Sequence, residues 1–248
     1  LGGFLTAISL LSLTLAGPTP ANAVERMAPR SAAHPIQASG VVQQRPPGTR
    51  HGTGDAPRVL ILSGDGGWNE LERHLADLLV GKGLLVTGVD SRKTFNRPSE
   101  IEDIAGFIEG LVEHDAPLIL VGYSFGADLL PLIWPHLSQD VRSRTLRVAM
   151  IAPSRDGSLS IDPSGEYDAG LMDLFPVAQT IRNAPRSRLV CIFGTDERAS
   201  GYSSCPDPGF DPARRVELPG GHALNHDYEA IAAAIADESV LDAALNGP

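Results

Sequence analysis

The chain has 248 residues, 20 of them Lys or Arg and 30 Asp or Glu, for a formal net charge of −10. That balance argues against a nucleic-acid partner, whose phosphates require cationic protein surface. An anionic bilayer would repel the molecule as a whole, which leaves only local, peripheral membrane contact. Two cysteines without a C-x-x-C pair argue against a cysteine zinc site, and no cofactor is expected.

Residues 1–23 carry no charge. Residues 5–16 form a leucine-rich apolar run too short to span a bilayer comfortably. Gly17-Pro18-Thr19-Pro20 follows, and Ala21-Asn22-Ala23 has the A-x-A form of a cleavage site. The segment reads as a secretory signal peptide, with an uncleaved anchor as the alternative, and is set apart from the fold. The remaining 225 or so residues suit one α/β domain. Residues 24–57 are rich in Pro, Gln, Arg, Ser and Gly and read as an irregular leader, with at most a short strand near Val41-Val42.

The domain proper is placed at 58–248, where strand and helix patterns alternate. An apolar strand at 58–62 precedes Asn69, which caps a helix over about 70–80 with Leu71, Leu75, Leu78 and Leu79 on one face. A strand at 84–89 follows, and Ser99 with Glu102 forms a capping box opening a helix to about 112. Leu118-Ile119-Leu120-Val121 is the next strand, and the helix after it should kink or end at Pro131 and Pro135. Further strands fall at 147–151, 189–193 and 214–218, then a helix over about 228–236 and a shorter one from 237. This alternation predicts a mostly parallel sheet of about six strands with helices on both faces. Residues 154–185, with a helix expected around 171–182, read equally as a lid insert or a surface connection.

Gly122-Tyr123-Ser124-Phe125-Gly126 joins the strand at 118–121 to a helix-prone run, with a serine at the apex. A G-x-S-x-G string between strand and helix is the nucleophile elbow of α/β-hydrolases. Its glycines remove Cβ atoms where strand and helix crowd together, and the serine sits beside helix N–H groups that favour developing negative charge. The alternative is a glycine-rich turn holding an inert serine. In this fold the acid and the histidine follow late strands, in that order. Strand 189–193 runs into Gly194-Thr195-Asp196-Glu197, and strand 214–218 runs into Pro219-Gly220-Gly221-His222. Ser124 is therefore the expected nucleophile, His222 its base and Asp196 the acid that orients the imidazole, with Glu197 and His226 as competitors.

An oxyanion requires preorganised donors. The backbone N–H of Phe125 is one candidate. The second is Asp65, or failing it Gly66, in the loop Ser63-Gly64-Asp65-Gly66-Gly67-Trp68. That loop lacks the G-x-x-x-x-G-K-[ST] pattern of a phosphate cradle. His222 and His226 also form an H-x-x-x-H pair, but the glycines before His222 imply a loop, so no metal is expected. His34, His51, His74, His114 and His136 read as surface or core residues. Cys191 and Cys205 suggest a disulfide in an exported protein, with two free thiols as the alternative because Cys191 lies in an apolar strand.

Several strings together resemble the VirJ/AcvB family of exported, virulence-associated bacterial α/β-hydrolases. They are SGDGGW at 63–68, GVDS at 88–91, VGYSFGAD at 121–128, and LPGGH at 218–222 with DYEA at 227–230. CIFGTDE at 191–197 with Cys205 downstream also looks like the family pattern, which implies Asp196 as the acid and a Cys191–Cys205 disulfide. A second histidine often follows GGH in relatives, where Ala223 stands here. The resemblance implies a periplasmic protein that hydrolyses the aminoacyl ester of aminoacyl-phosphatidylglycerol, such as lysyl-phosphatidylglycerol. A substrate ammonium would then need a carboxylate: Asp65 first, with Asp90 or Asp128 as weaker candidates. Gly66 and Tyr123 join the expected substrate-binding set, and Trp68 and Phe95 are candidates for an apolar wall. The rival readings are a general carboxylesterase or thioesterase, and a non-catalytic interaction protein for secretion or virulence.

Overall fold

The computed structural model describes residues 36, 40–44, 57–96, 99–112, 116–159, 161, 174–181, 184–211 and 213–246. The expected signal peptide at 1–23, most of the leader, His34, His51 and His114 lie outside the described residues. Among the described residues no helix is long and apolar enough to cross a membrane.

Apolar runs buried on both faces become the inner strands of one seven-stranded sheet. These are β2 (Arg58–Leu62), β3 (Leu85–Val89), β4 (Leu118–Tyr123), β5 (Thr145–Ile151) and β8 (Leu189–Gly194), with β9 (Arg214–Leu218) at one edge. All pair in parallel, in the order β3-β2-β4-β5-β8-β9. The other edge is β1 (Val41–Gln44), which pairs antiparallel with β3, Val41 opposite Val89. This strand falls where a short one is expected, near Val41-Val42. Two-residue strands β6 (Asp156–Gly157) and β7 (Phe175–Pro176) pair antiparallel within the 154–185 insert.

Alternate strand residues point to opposite faces. Val59, Ile61, Val86, Ile119, Val121, Ala149, Ile151, Val190 and Ile192 form one core cluster with three helices. Those helices are α1 (Glu70–Gly81), α8 (Tyr228–Ile235) and, through Val240, α9 (Glu238–Asn246). The short α2 (Ser91–Thr94) follows β3, capped by the Asp90 side chain. On the other face lies α4 (Phe125–Ile133), against which α3 (Ile101–Leu111) packs. The N-cap of α3 is Glu100, one residue after the expected Ser99, and the Glu100 side chain makes no cap bond. Helix α4 accommodates Pro131 and stops at Ile133, and a 3-10 turn carrying Pro135 continues the chain. α5 (Gln139–Arg144) leads into β5, and α7 (Thr195–Ser200) follows β8. Of the helix expected around 171–182 only α6 (Val177–Thr180) is present in the described residues, which exclude 171–173 and 182.

Cys191, in the middle of β8, is bonded to Cys205, with Cα atoms 5.7 Å apart and 14 residues of separation. The bond ties the segment after α7 to the central sheet.

Candidate active site

Three strand ends meet at one rim of the sheet, where parallel sheets gather their sites. After β4, Ser124 adopts φ 51° and ψ −117°, a conformation that costs a non-glycine residue about 1–3 kcal/mol. The glycines beside it show why the turn is so tight. A Cβ on Gly122 would lie 2.3 Å from the Gly126 carbonyl oxygen, and one on Gly126 would lie 2.3 Å from the Leu62 carbonyl oxygen. Only bare backbone lets α4 start this close to β4 and β2. Ser124 N–H donates to the Ile151 carbonyl of β5, so the sheet itself holds the strained residue.

His222 follows β9 by four residues. Its Nε2 lies 2.9 Å from Ser124 Oγ and its Nδ1 lies 2.7 Å from Glu197 Oε1. With Nδ1–H donating to the carboxylate, Nε2 is left to accept from the serine hydroxyl. Tyr123 supports the same residue: its hydroxyl donates to the His222 carbonyl at 3.2 Å, and the two rings lie 5.2 Å apart. Burial, reinforced by the carboxylates of Glu72, Glu197 and Asp65, pushes the Tyr123 phenol up and keeps it protonated as a donor.

The carboxylate that meets His222 belongs to Glu197, not to the expected Asp196. Glu197 is only 3% exposed and stands at the third position of α7. Its Oε2 accepts the Gly194 N–H at 2.9 Å, which leaves Oε1 for the imidazole. One residue earlier on the helix, Asp196 points outward and is exposed; its carboxylate meets the Thr195 hydroxyl at 3.4 Å, while its backbone N–H donates to Gly220. The turn of the helix separates the two side chains, and the longer glutamate spans the distance.

A cavity of about 650 Å³ opens over Ser124 and His222. Asp65, Phe125, Asp128 and Asp156 line it, with Leu174 and Tyr202 half-exposed at its wall. Both described flanks of the 154–185 insert, which β6 and β7 clip together, therefore border the site. Phe125 is the first residue of α4, so its N–H has no acceptor within the helix. Gly64 presses on Ser124: a Cβ there would come within 3.4 Å of the Ser124 Cβ. That contact brings Asp65, the next residue, to the cavity. Asp128 is 4% exposed and accepts both the N–H (2.9 Å) and the hydroxyl of Ser154. Burial pushes its carboxyl up to about 7.

Four expected contributors lie elsewhere. Trp68 packs its ring on β3, where a Cβ on Gly88 would lie 2.1 Å from it, so the indole fills the core edge and does not line the cavity. Phe95 is fully buried between Phe107 and Phe125. Gly66 is exposed, and its carbonyl accepts from the Asn69 side chain away from the cavity lining. Asp90 caps α2 and pairs with Lys93 at 3.0 Å. His226 Nδ1 meets the Tyr228 hydroxyl, while both ring nitrogens of His222 are engaged by Ser124 and Glu197. Among the described residues no group of three His, Cys, Asp or Glu is placed to hold a metal ion.

A family model described as bacterial virulence protein (VirJ) matches residues 57–242. No protein of curated function matches the chain. Among solved structures, Est1E from Butyrivibrio proteoclasticus with ferulic acid bound superposes with a TM-score of 0.53 at 14% identity, over 82% of this chain and 96% of that one. The proline iminopeptidase of Mycobacterium smegmatis gives 0.54 at 13% identity, over 82% and 95%. A thioesterase domain from the curacin biosynthetic pathway gives 0.53 at 15% identity, over 79% and 93%. The sheet and its covering helices have the α/β-hydrolase fold.

Proposed function

The chain belongs to the VirJ family of bacterial virulence proteins, and from that premise we propose that it is a periplasmic serine esterase that hydrolyses the aminoacyl ester of aminoacyl-phosphatidylglycerol. One observation carries the catalytic part of this reading: Ser124 Oγ, the His222 imidazole and the buried Glu197 carboxylate are hydrogen-bonded in series, with Ser124 and His222 lining the cavity. The fold shared with an esterase and a thioesterase domain supports acyl transfer in general. The buried disulfide supports an exported protein. The carboxylates of Asp65 and Asp156 around the cavity support an acyl group that carries ammonium charge.

In this mechanism Ser124 Oγ attacks the ester carbonyl carbon while its proton passes to His222 Nε2. Glu197 holds the Nδ1–H tautomer and stabilises the imidazolium. The Phe125 and Asp65 backbone N–H groups receive the oxyanion. As the tetrahedral intermediate collapses, His222 gives the proton to the departing glycerol oxygen, leaving the amino acid esterified to Ser124. His222 then deprotonates a water, which attacks the acyl carbon. Collapse of that second intermediate returns the proton to Ser124 and frees the amino acid.

The test is release of lysine from lysyl-phosphatidylglycerol by the purified protein, compared with hydrolysis of 4-nitrophenyl butyrate. The expected result is a higher kcat/KM on the lipid, and a loss of about 10⁴-fold or more in folded Ser124→Ala. Turnover of the neutral ester alone would point to a general carboxylesterase or thioesterase. Turnover of neither would favour a non-catalytic interaction protein.

A further inference from the structure

Glu72 is a buried carboxylate that the proposed chemistry leaves without a task. It sits at the third position of α1 and is 1% exposed. Its Oε2 accepts the Asn69 N–H at 2.9 Å, the ordinary half of a capping box. Its Oε1 does something a cap does not require: it accepts the Gly64 N–H, eight residues away at the end of β2, at 3.3 Å. One carboxylate therefore grips both ends of the loop that carries Asp65. Keeping it there is unfavourable, because burial and the nearby Asp90 charge push its carboxyl up against the pull of the Asn69, Glu72 and Gly64 backbone N–H groups. Helix capping alone needs no such burial, since an exposed Glu at the same position would serve.

We propose that Glu72 is a positioning residue, clamping the 64–69 loop so that the Asp65 N–H stays aimed at the oxyanion above Ser124. The chain of contact is short. Gly64 is held by Glu72 on one side and touches Tyr123 and Ser124 on the other, where a Cβ would meet the Tyr123 ring at 3.2 Å and the Ser124 Cβ at 3.4 Å. Asp65 is the next residue and faces the cavity. Other ties fix the same loop: Ser91 N–H donates to Ser63 Oγ at 2.9 Å, Ser91 Oγ donates to the Ser63 carbonyl at 2.7 Å, and Gly67 N–H donates to the Gly64 carbonyl at 3.0 Å. The last of these holds the carbonyl of the peptide that bears the Asp65 N–H, and the Glu72–Gly64 bond holds the peptide before it, so the two fix the donor from both sides of Gly64. A donor displaced by a few tenths of an ångström binds the transition state less well and the ground-state carbonyl nearly as before.

This inference rests on the serine-esterase reading, and the experiment separates the two. Wild type, Glu72→Gln, Glu72→Asp and Leu75→Ala are assayed with 4-nitrophenyl butyrate and with phenylboronic acid, which forms a tetrahedral adduct on an active serine. Glu72→Gln keeps the volume but offers one acceptor oxygen. Glu72→Asp keeps a charged cap for Asn69 but loses reach to Gly64, so it serves if the amide variant does not fold. The expected result is a fall of at least tenfold in kcat, little change in KM, and a parallel loss of boronate affinity. Leu75→Ala, a core truncation on the same helix, should lower thermal stability without that loss. A folded Glu72 variant with kcat and boronate affinity within twofold of wild type overturns the inference. A wild type that neither turns over ester nor binds boronate overturns the esterase reading instead.

Discussion

Glu197 reaches His222 with one oxygen and the start of its own helix with the other, so its position is fixed before the imidazole arrives. Removing its charge while keeping its shape should leave His222 without tautomer control. Glu197→Gln is expected to lower kcat by roughly 10³–10⁴-fold, and Asp196→Asn to leave it within a few-fold of wild type, in steady-state assays. The opposite ranking would return the role to Asp196. The carboxylate beside His222 was half legible: its strand end was evident from the apolar run 189–193, but choosing between adjacent carboxylates requires the direction each takes from the helix. The signal was present in the spacing Gly194-x-x-Glu197, a capping pattern that turns the glutamate inward. Asp128 offers a second test at this scale. The fold holds its proton up to about pH 7, whereas an unfolded Asp releases it near pH 4. Its contribution to stability is therefore complete below about pH 4 and is lost as pH rises through about 7. In urea unfolding, the stability of wild type relative to Asp128→Asn should fall between pH 4 and 7; a pH-independent difference would contradict the assignment.

At the scale of elements, the elbow and the disulfide each hold chain that lines the cavity: Ser124 and Phe125 at the elbow, and Gly201 and Tyr202 shortly before Cys205. The elbow was readable because its string lies between an apolar strand and a helix, and the Gly122 and Gly126 contacts give the physical reason for both glycines. Trp68 was misread because an aromatic beside a glycine-rich loop looks the same whether it faces a ligand or, as here, a bare patch of neighbouring strand at Gly88. The edge strand β1 was barely visible, since a four-residue strand is defined by its partner β3 more than by its own pattern. The Cys191–Cys205 bond anchors a segment that begins with Gly201 and Tyr202 on the cavity wall. The Cys191→Ala/Cys205→Ala pair is expected to lower the unfolding free energy by about 2–4 kcal/mol and to raise KM more than it lowers kcat, because a wall loosens while the triad stays. A fall confined to kcat would show that the bond acts on the triad instead.

Across the molecule, parallel strands in sequence-scattered order bring residues 124, 197 and 222 to the same rim, after β4, β8 and β9. The helices bury the sheet on both faces, and the leader strand closes one edge. The fold class was plain in the alternation of apolar runs and amphipathic stretches, since a sheet covered on both sides leaves few other arrangements. What alternation cannot reveal is convergence, which depends on strand order. That convergence is the claim on which the enzyme reading stands, and a fluorophosphonate probe tests it directly. Mass mapping after labelling should find a single adduct on Ser124 of the folded wild-type protein, absent from Ser124→Ala. A folded wild type that stays unlabelled, or an adduct on another residue, would contradict the account.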